Sequence, residues 1–573
     1  FRPNNYKYET SQKNDDGTVS VQTNYYQLPC VICVHGNLNS REMQDYAYIE
    51  LARRGCLVIA IDMFGHGHSS PENPGPDIQA AIDYVSNLSY VDPTKIGLTG
   101  HSLGAVQIQT VATANPDKIS AVLPVGWSLI PNVAAALPDA SLGSIVGAYD
   151  EFFYYLNMCD SDGNLKIDES GQILYPTVEA YNYANMQEVM NVSGIHENTF
   201  EFNTYYQTPN NKLRIVYQEN KNHPLLVYCK KSSEYIVEFF ENAWNLDFEA
   251  TTGISNTDII WGWKAFFNTL GLAGFFAFII AFALWMLELP FFSKLKIKSE
   301  AICEDRIKPS GFKETLIYII PLAAMVILSG VLYYPLMRCG LFFEFEGTNS
   351  YNTTFPYQYA NYSMTWAFIM GFISIAVFAI GFIAQRKGQT LQNKGFKNTL
   401  KQLGLVISPL NLLRSIILAV AVIFSAYVLV YVFDYFFKTD FRFYTLSVKT
   451  FSPTVLVYTF VYFIFYFVYY FANAVTSNAN ARKGFPEWLN IVIMCAVNVL
   501  GLLLVLAAYY IPFFMNGIPA FYESINPVLL YPFIILLCIT PIYARKLYKA
   551  TGNVYIPAIL NTLLVTIITL AST

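Results

Sequence analysis

Residues 95–104 read Lys95-Ile96-Gly97-Leu98-Thr99-Gly100-His101-Ser102-Leu103-Gly104. The first five are a short apolar run of the kind that makes a buried strand, and a helical pattern opens near Leu103. A serine between them lies on a tight strand-to-helix turn, and the flanking glycines let the backbone bend without a side-chain clash. Such a turn exposes the Ser102 hydroxyl and aims a helix N-terminus at any oxyanion that forms beside it. G-x-S-x-G also occurs by chance in long chains. The strand before it, the helix after it and its place in the surrounding alternation separate this instance from coincidence.

Leu28–His35 is another short apolar run, consistent with a buried parallel strand. Ser40–Arg54 has helical spacing, with Gly55 where a helix ends. Strands are expected at Leu57–Ile61, Ala121–Val125, Ser144–Val146 and Leu213–Tyr217, with helices at Asp77–Leu88 and Ser232–Trp244. Strands alternating with helices predict a mostly parallel sheet covered on both faces. Residues 151–205 break the rhythm and read as an inserted cap.

Residues 28–245 resemble the α/β-hydrolase superfamily. The motifs that carry the resemblance are Val34-His35-Gly36-Asn37, Asp62-Met63-Phe64-Gly65-His66-Gly67-His68-Ser69 and the turn around Ser102. The resemblance implies Ser102 as nucleophile, with backbone N–H groups of Asn37 and Leu103 forming the oxyanion hole. The family order of nucleophile, acid and base then implies Asp150, just past a strand, as acid. His223, after the last strand, is the implied base. Glu151 adjoins Asp150 as a competing acid, and His196 in the insert is the competing base. His35, His66, His68 and His101 belong to motif loops. Phe152 and Phe153, just after the acid, are candidate acyl-pocket residues or cap core.

Two other patterns resemble metal sites. Asp160 to Glu169 has oxygens at alternating positions, but its glycine is fourth rather than sixth, so Asp162-Gly163 reads as a hairpin turn instead of a calcium loop. Cys30 and Cys33 have no second pair downstream and fit strand packing better than zinc. No metal and no organic cofactor is expected.

The 573 residues are 54% hydrophobic and only 13% charged, about half the usual share of charge, and the deficit lies in the second half. Apolar runs near 265–287, 315–337, 365–385, 415–437, 453–474, 489–515, 527–543 and 554–571 predict about eight transmembrane helices, with aromatic residues at their ends. A wholly soluble protein is excluded, and a net charge of −5 offers nothing to nucleic acid. The division expected is a hydrolase domain over 1–245, a linker over 246–262 and an all-α polytopic domain over 263–573.

Loops 290–314, 386–408, 476–488 and 544–552 carry 16 Lys and Arg in total, and the alternate loops carry 4. The excess belongs in the cytoplasm, which makes the hydrolase domain extracytoplasmic on a multi-pass protein of the cell membrane. The chain begins at Phe1, and an exported N-terminal domain calls for a signal peptide or signal anchor upstream.

The spans hold little central charge: Glu288, Arg414 and Asp434 lie near their ends, unlike the buried charges of ion-coupled transporters. Residues 549–561 (KATGNVYIPAILN) resemble the last motif of the CAAX-protease/bacteriocin-processing membrane family. That family has histidine where Asn561 stands and a double glutamate earlier. No histidine follows His223 and no span carries adjacent glutamates, so this resemblance implies a scaffold that has lost its metal site. The expected function is a membrane-tethered, esterase- or lipase-like serine hydrolase acting on an amphiphilic or lipid ester at the bilayer. The competing expectation is a lipid or small-molecule transporter or scaffold whose hydrolase domain processes or binds its cargo.

Overall fold

The structure is a computed structural model describing residues 7–14, 18–25, 27–69, 77–297, 308–339, 341–342, 352–386, 400–401, 403–521 and 525–572. Loops 290–314, 338–363 and 386–408, on which much of the orientation reading rests, lie partly outside the described residues. The chain forms two compact units. One comprises residues 1–267 with 511–524, and the other 268–510 with 525–573.

In the first unit a hairpin of β1 (Lys7–Lys13) and β2 (Val19–Tyr25) precedes the main sheet, and nothing in the alternation pattern anticipated it. The sheet comprises β3 (Leu28–Val34), β4 (Leu57–Ile61), β5 (Val91–His101), β6 (Ala121–Val125), β7 (Ser141–Tyr149), β8 (Tyr206–Gln207) and β9 (Leu213–Asn222). Their spatial order is β4-β3-β5-β6-β7-β9-β8, parallel except for the two-residue edge strand β8. Helices α1 (Asp45–Arg53) and α7 (Lys230–Ala243) pack on one another. Helices α2 (Asp77–Ser86), α3 (Leu103–Thr113), α4 (Pro131–Ala136) and α6 (Val178–Val192) pack in succession, as expected for a sheet covered on both faces.

The strands are buried on both sides, which is why they read as continuous apolar runs. Ile32, Val34, Leu98, Ile108, Val122 and Leu142 share one core cluster that joins β3, β5, β6 and β7 to α3. Cys30 and Cys33 are buried in β3, where burial pushes both thiols up, Cys30 to about 12. A single turn, α5 (Glu151–Phe153), opens the insert. The acidic stretch beyond it folds into two successive tight turns. Asp160 accepts hydrogen bonds from the N–H groups of Asp162 and Asn164, and Asp168 from those of Ser170 and Gln172. Gly163 and Gly171 occupy left-handed positions (φ 86° and 83°), and one oxygen each of Asp160 and Asp168 is engaged by these backbone amides.

The end of the first unit is tied down by one buried carboxylate. Glu50 accepts hydrogen bonds from the N–H groups of Ile260 and Trp261, each at 2.8 Å, and pairs with buried Arg54 at 3.1 Å. Residues 511–521 rejoin this unit, bringing Phe514 within 5.3 Å of Tyr149, the residue before Asp150.

The second unit is helical apart from a short antiparallel hairpin of Phe441–Phe443 and Leu446–Val448, so it is not wholly α. Together with Trp261–Met286, which begins in the first unit, the long apolar helices are Phe312–Val331, Gln358–Ala384, Pro409–Phe437, Pro453–Asn480, Glu487–Asn516 and Pro527–Thr551. These seven are long and apolar enough to cross a membrane. The eighth expected span corrects to Tyr555–Ala571, 17 residues or about 26 Å, short of a 30 Å hydrocarbon layer. It is buried along nearly its whole length, which is why it reads as apolar without needing to face lipid. Asn561 lies on this helix, fully buried, and donates to the Thr540 carbonyl at 2.9 Å.

Candidate active site

The turn at Ser102 is strained, and its neighbours show why glycine flanks it. Ser102 sits at φ 54°, ψ −117°, between the end of β5 and the first residue of α3. Its N–H donates to the Val125 carbonyl at 2.9 Å, which ties the turn to β6. A Cβ on Gly104 would lie 2.6 Å from the Val34 carbonyl oxygen, and one on Gly100 would lie 2.9 Å from the Gly104 carbonyl oxygen. Only hydrogen at both positions lets α3 rise directly against β3.

The loop after β3 meets this turn. A Cβ on Gly36 would come within 2.9 Å of His101 Nδ1 and 3.0 Å of Ser102 Cβ, so Gly36 and Ser102 are in van der Waals contact. His35 Nε2 accepts from the Met63 N–H at 2.9 Å. Its Nδ1 therefore carries the proton and donates to the Gly36 carbonyl at 2.7 Å. Leu38, at φ 58°, turns the loop back after Asn37. The Asp62 motif braces the same loop: its carboxylate accepts from the Arg41 N–H at 2.8 Å and pairs with the Arg41 guanidinium at 2.9 Å. His66 Nε2 lies 3.1 Å from Asn37 Oδ1. These two motifs thus brace the loop whose Gly36 lies against Ser102, while the Leu103 N–H, at the first position of α3, has no acceptor within its own helix.

His223 and Asp150 come together at the ends of β9 and β7. His223 Nδ1 is 2.7 Å from Asp150 Oδ2, and both side chains are buried. The other carboxylate oxygen of Asp150 accepts from the Phe152 N–H at 2.9 Å, fixing the group as the N-cap of α5. Glu151, the competing acid, makes different contacts. It accepts from the His223 backbone N–H and from the Asn222 side-chain amide, both at 2.9 Å, and so anchors the backbone of His223. Burial opposes a charge on His223, but the Asp150 charge and hydrogen bond, with the Glu151 charge, outweigh it and hold the imidazole above its ordinary pKa.

The His223 ring lies 4.7 Å from the ring of His101, the residue before Ser102, and 4.5 Å from the ring of Phe152. Burial, reinforced by neighbouring His223, holds His101 well below its ordinary pKa, so it stays neutral. Gly126, at φ 63°, lies just past β6. A Cβ there would come within 3.1 Å of the His101 ring and 3.2 Å of His223 Cε1. Neither Gly126 nor the role of Glu151 was found from sequence. The only local signal is a glycine directly after a strand for one and a second acid after Asp150 for the other.

Phe152 stands against His223, whereas Phe153 is fully buried between Trp127 (5.7 Å) and Tyr181 (5.6 Å). His196 lies beyond α6, in the loop that follows the cap helix. Among the described residues, no group of three or more His, Cys, Asp or Glu side chains is arranged to hold a metal ion.

Residues 29–145 match the family model of the alpha/beta hydrolase fold. The uncharacterized Escherichia coli (strain K12) protein YcjY is 31% identical over 141 residues, which cover 22% of this chain and 46% of that protein. An uncharacterized Mycobacterium tuberculosis (strain H37Rv) protein is 32% identical over 92 residues, covering 15% of this chain and 33% of its own length. The chain thus spans less than half the length of these curated relatives. Among solved structures, the Staphylococcus aureus S-formylglutathione hydrolase FrmB is 10% identical, covering 41% of this chain and 98% of its own, with a TM-score of 0.25. The fluorophosphonate-binding serine hydrolase FphF of the same organism is 11% identical, with the same coverages and TM-score. The N-terminal part of the chain has the α/β-hydrolase fold, followed by a helical region with seven candidate membrane-spanning helices.

Proposed function

We propose that the protein is a membrane-tethered serine hydrolase that cleaves an acyl ester through Ser102, His223 and Asp150. The observation that carries this reading is the buried His223–Asp150 hydrogen bond, formed where the ring of His223 lies beside the strained turn that bears Ser102. In the proposed reaction the Ser102 hydroxyl attacks the acyl carbon and passes its proton to His223 Nε2. Asp150 accepts the Nδ1–H, which fixes the tautomer and stabilises the imidazolium. The N–H groups of Asn37 and Leu103 bind the oxyanion. The alcohol leaves with the proton from His223, and water then cleaves the acyl-enzyme by the same route.

The substrate class follows from the seven apolar helices: a hydrolase on such an anchor meets esters of amphiphiles or bilayer lipids at high local concentration. Phe152, against His223, is the first candidate to touch the acyl group, and Phe153 supports it from the cap core. The loop charges favour an extracytoplasmic hydrolase domain on a cell-membrane protein. The test is labelling of the full chain with a fluorophosphonate probe, followed by hydrolysis of an ester series of increasing acyl length. Labelling at Ser102 with a preference for long acyl chains supports the proposal; an unreactive Ser102 refutes it.

A further inference from the structure

Asp150 stands where the sheet ladder loosens. Strands β7 and β9 keep one register from Leu142 against Arg214 to Gly147 against Glu219, and the register then shifts so that Tyr149 faces Asn222. A shift of this kind disrupts the ladder locally and bends the strand. Asp150 follows at once and opens a single turn, in which the Tyr154 N–H donates to the Asp150 carbonyl at 3.3 Å. That turn carries the carboxylate 2.7 Å from His223 and the Phe152 ring 4.5 Å from it.

Rings from far along the chain grip this turn at both ends. Phe513 is fully buried, edge-on to Tyr149 just before the turn and to Tyr154 at its close, each at 6.1 Å. Phe514 adds a second edge-on contact to Tyr149 at 5.3 Å. The Gly517 N–H donates to the Phe513 carbonyl at 2.8 Å, and Gly517 sits at φ 74°. A Cβ there would lie 3.0 Å from Thr177 Cγ2, and Thr177 is the N-cap of α6. Residues 513–517 thus meet the chain on both sides of the acid turn and at the start of the cap helix, all within the first unit.

We propose that residues 513–517 are a strap that positions Asp150 and Phe152, with Phe513 and Phe514 as positioning residues for hydrolysis at Ser102. The proposal rests on the triad reading. Edge-on ring pairs are directional, so they hold the turn where the ladder does not. A displacement of about 1 Å in a reacting group costs about 10²-fold in rate, even when its cause lies away from the chemistry.

The experiment follows fluorophosphonate labelling and p-nitrophenyl acetate hydrolysis by the full chain in dodecyl maltoside. Phe514 is 45% exposed, so Phe514→Ala should fold; it should lower kcat about tenfold with KM little changed, and Phe514→Tyr should restore the rate. Phe513→Ala should lower kcat about 10²-fold, and Phe513→Leu takes its place if it does not fold. The pH profile separates positioning from packing. Burial opposes a charge on His223, Asp150 is the foremost group that favours it, Glu151 rides on the same turn, and adjoining His101 is neutral. A displaced turn should therefore move the acid limb of kcat/KM to lower pH, which loss of packing alone would not do. A parent that does not label refutes the triad reading and the strap with it. A parent that labels, with folded variants that keep its kcat or its acid limb, overturns the strap alone.

Discussion

Ser102 occupies φ 54° with ψ −117°, a region in which a side chain costs about 1–3 kcal/mol. That cost gives a prediction separable from activity. Ser102→Gly should raise the stability of the protein by about 1 kcal/mol, read as an increased thermal midpoint, while abolishing probe labelling. Ser102→Ala keeps the strain, so its midpoint should stay near that of the parent while hydrolysis falls by about 10⁴-fold or more. His223→Ala should cost as much, and the double variant little more, because the groups act as one unit. The pH dependence follows from the anions around His223. A base must be neutral to accept a proton, and His223 is held above its ordinary pKa, so kcat/KM should rise with pH through a value above 6.5. Glu151→Gln removes one anion that favours the imidazolium, so this acid limb should move to lower pH; an unmoved limb would deny Glu151 its electrostatic part. His196→Ala should leave the profile unchanged.

At the scale of elements, α3 reaches β3 because Gly104 carries no side chain. Gly104→Ala would force a methyl group against the Val34 and His35 carbonyls, both backbone and unable to swing away. A loss of about 1–3 kcal/mol is expected, together with loss of labelling, because Leu103 and Ser102 would move with the helix. The second device is Glu50, buried between Arg54 and the N–H groups of Ile260 and Trp261. Glu50→Ala would leave Arg54 buried without a counter-charge and two amides without an acceptor, an expected cost of about 3–5 kcal/mol by chemical denaturation. Arg53→Ala removes a partly exposed cation and leaves Glu50 paired with Arg54, so it should cost well under half of that.

For the whole molecule, the orientation proposed from loop charge has a direct check. Single-cysteine reporters in loop 338–363 should react with an impermeant thiol reagent in intact cells, and reporters in 386–408 should not; the reverse would place the hydrolase in the cytoplasm. Local pattern alone determined the alternating strands, the turn at Ser102 and seven apolar spans, because burial on both faces and the length of a bilayer leave marks on consecutive residues. Asp150 and His223 were legible as chain order, since each follows a strand end. Their pairing at 2.7 Å, 73 residues apart, is a property of β7 and β9 lying side by side. The same holds for what the sequence did not disclose. Glu151 accepts the His223 N–H, Gly126 lies beside two histidines, and residues 511–521 return to the first unit from far along the chain. The 17-residue helix 555–571 looked like an eighth span because an apolar run is the same whether it faces lipid or other helices. Only tertiary packing decided which surrounds it, since burial inside a bundle depends on residues distant in sequence and leaves no period of its own.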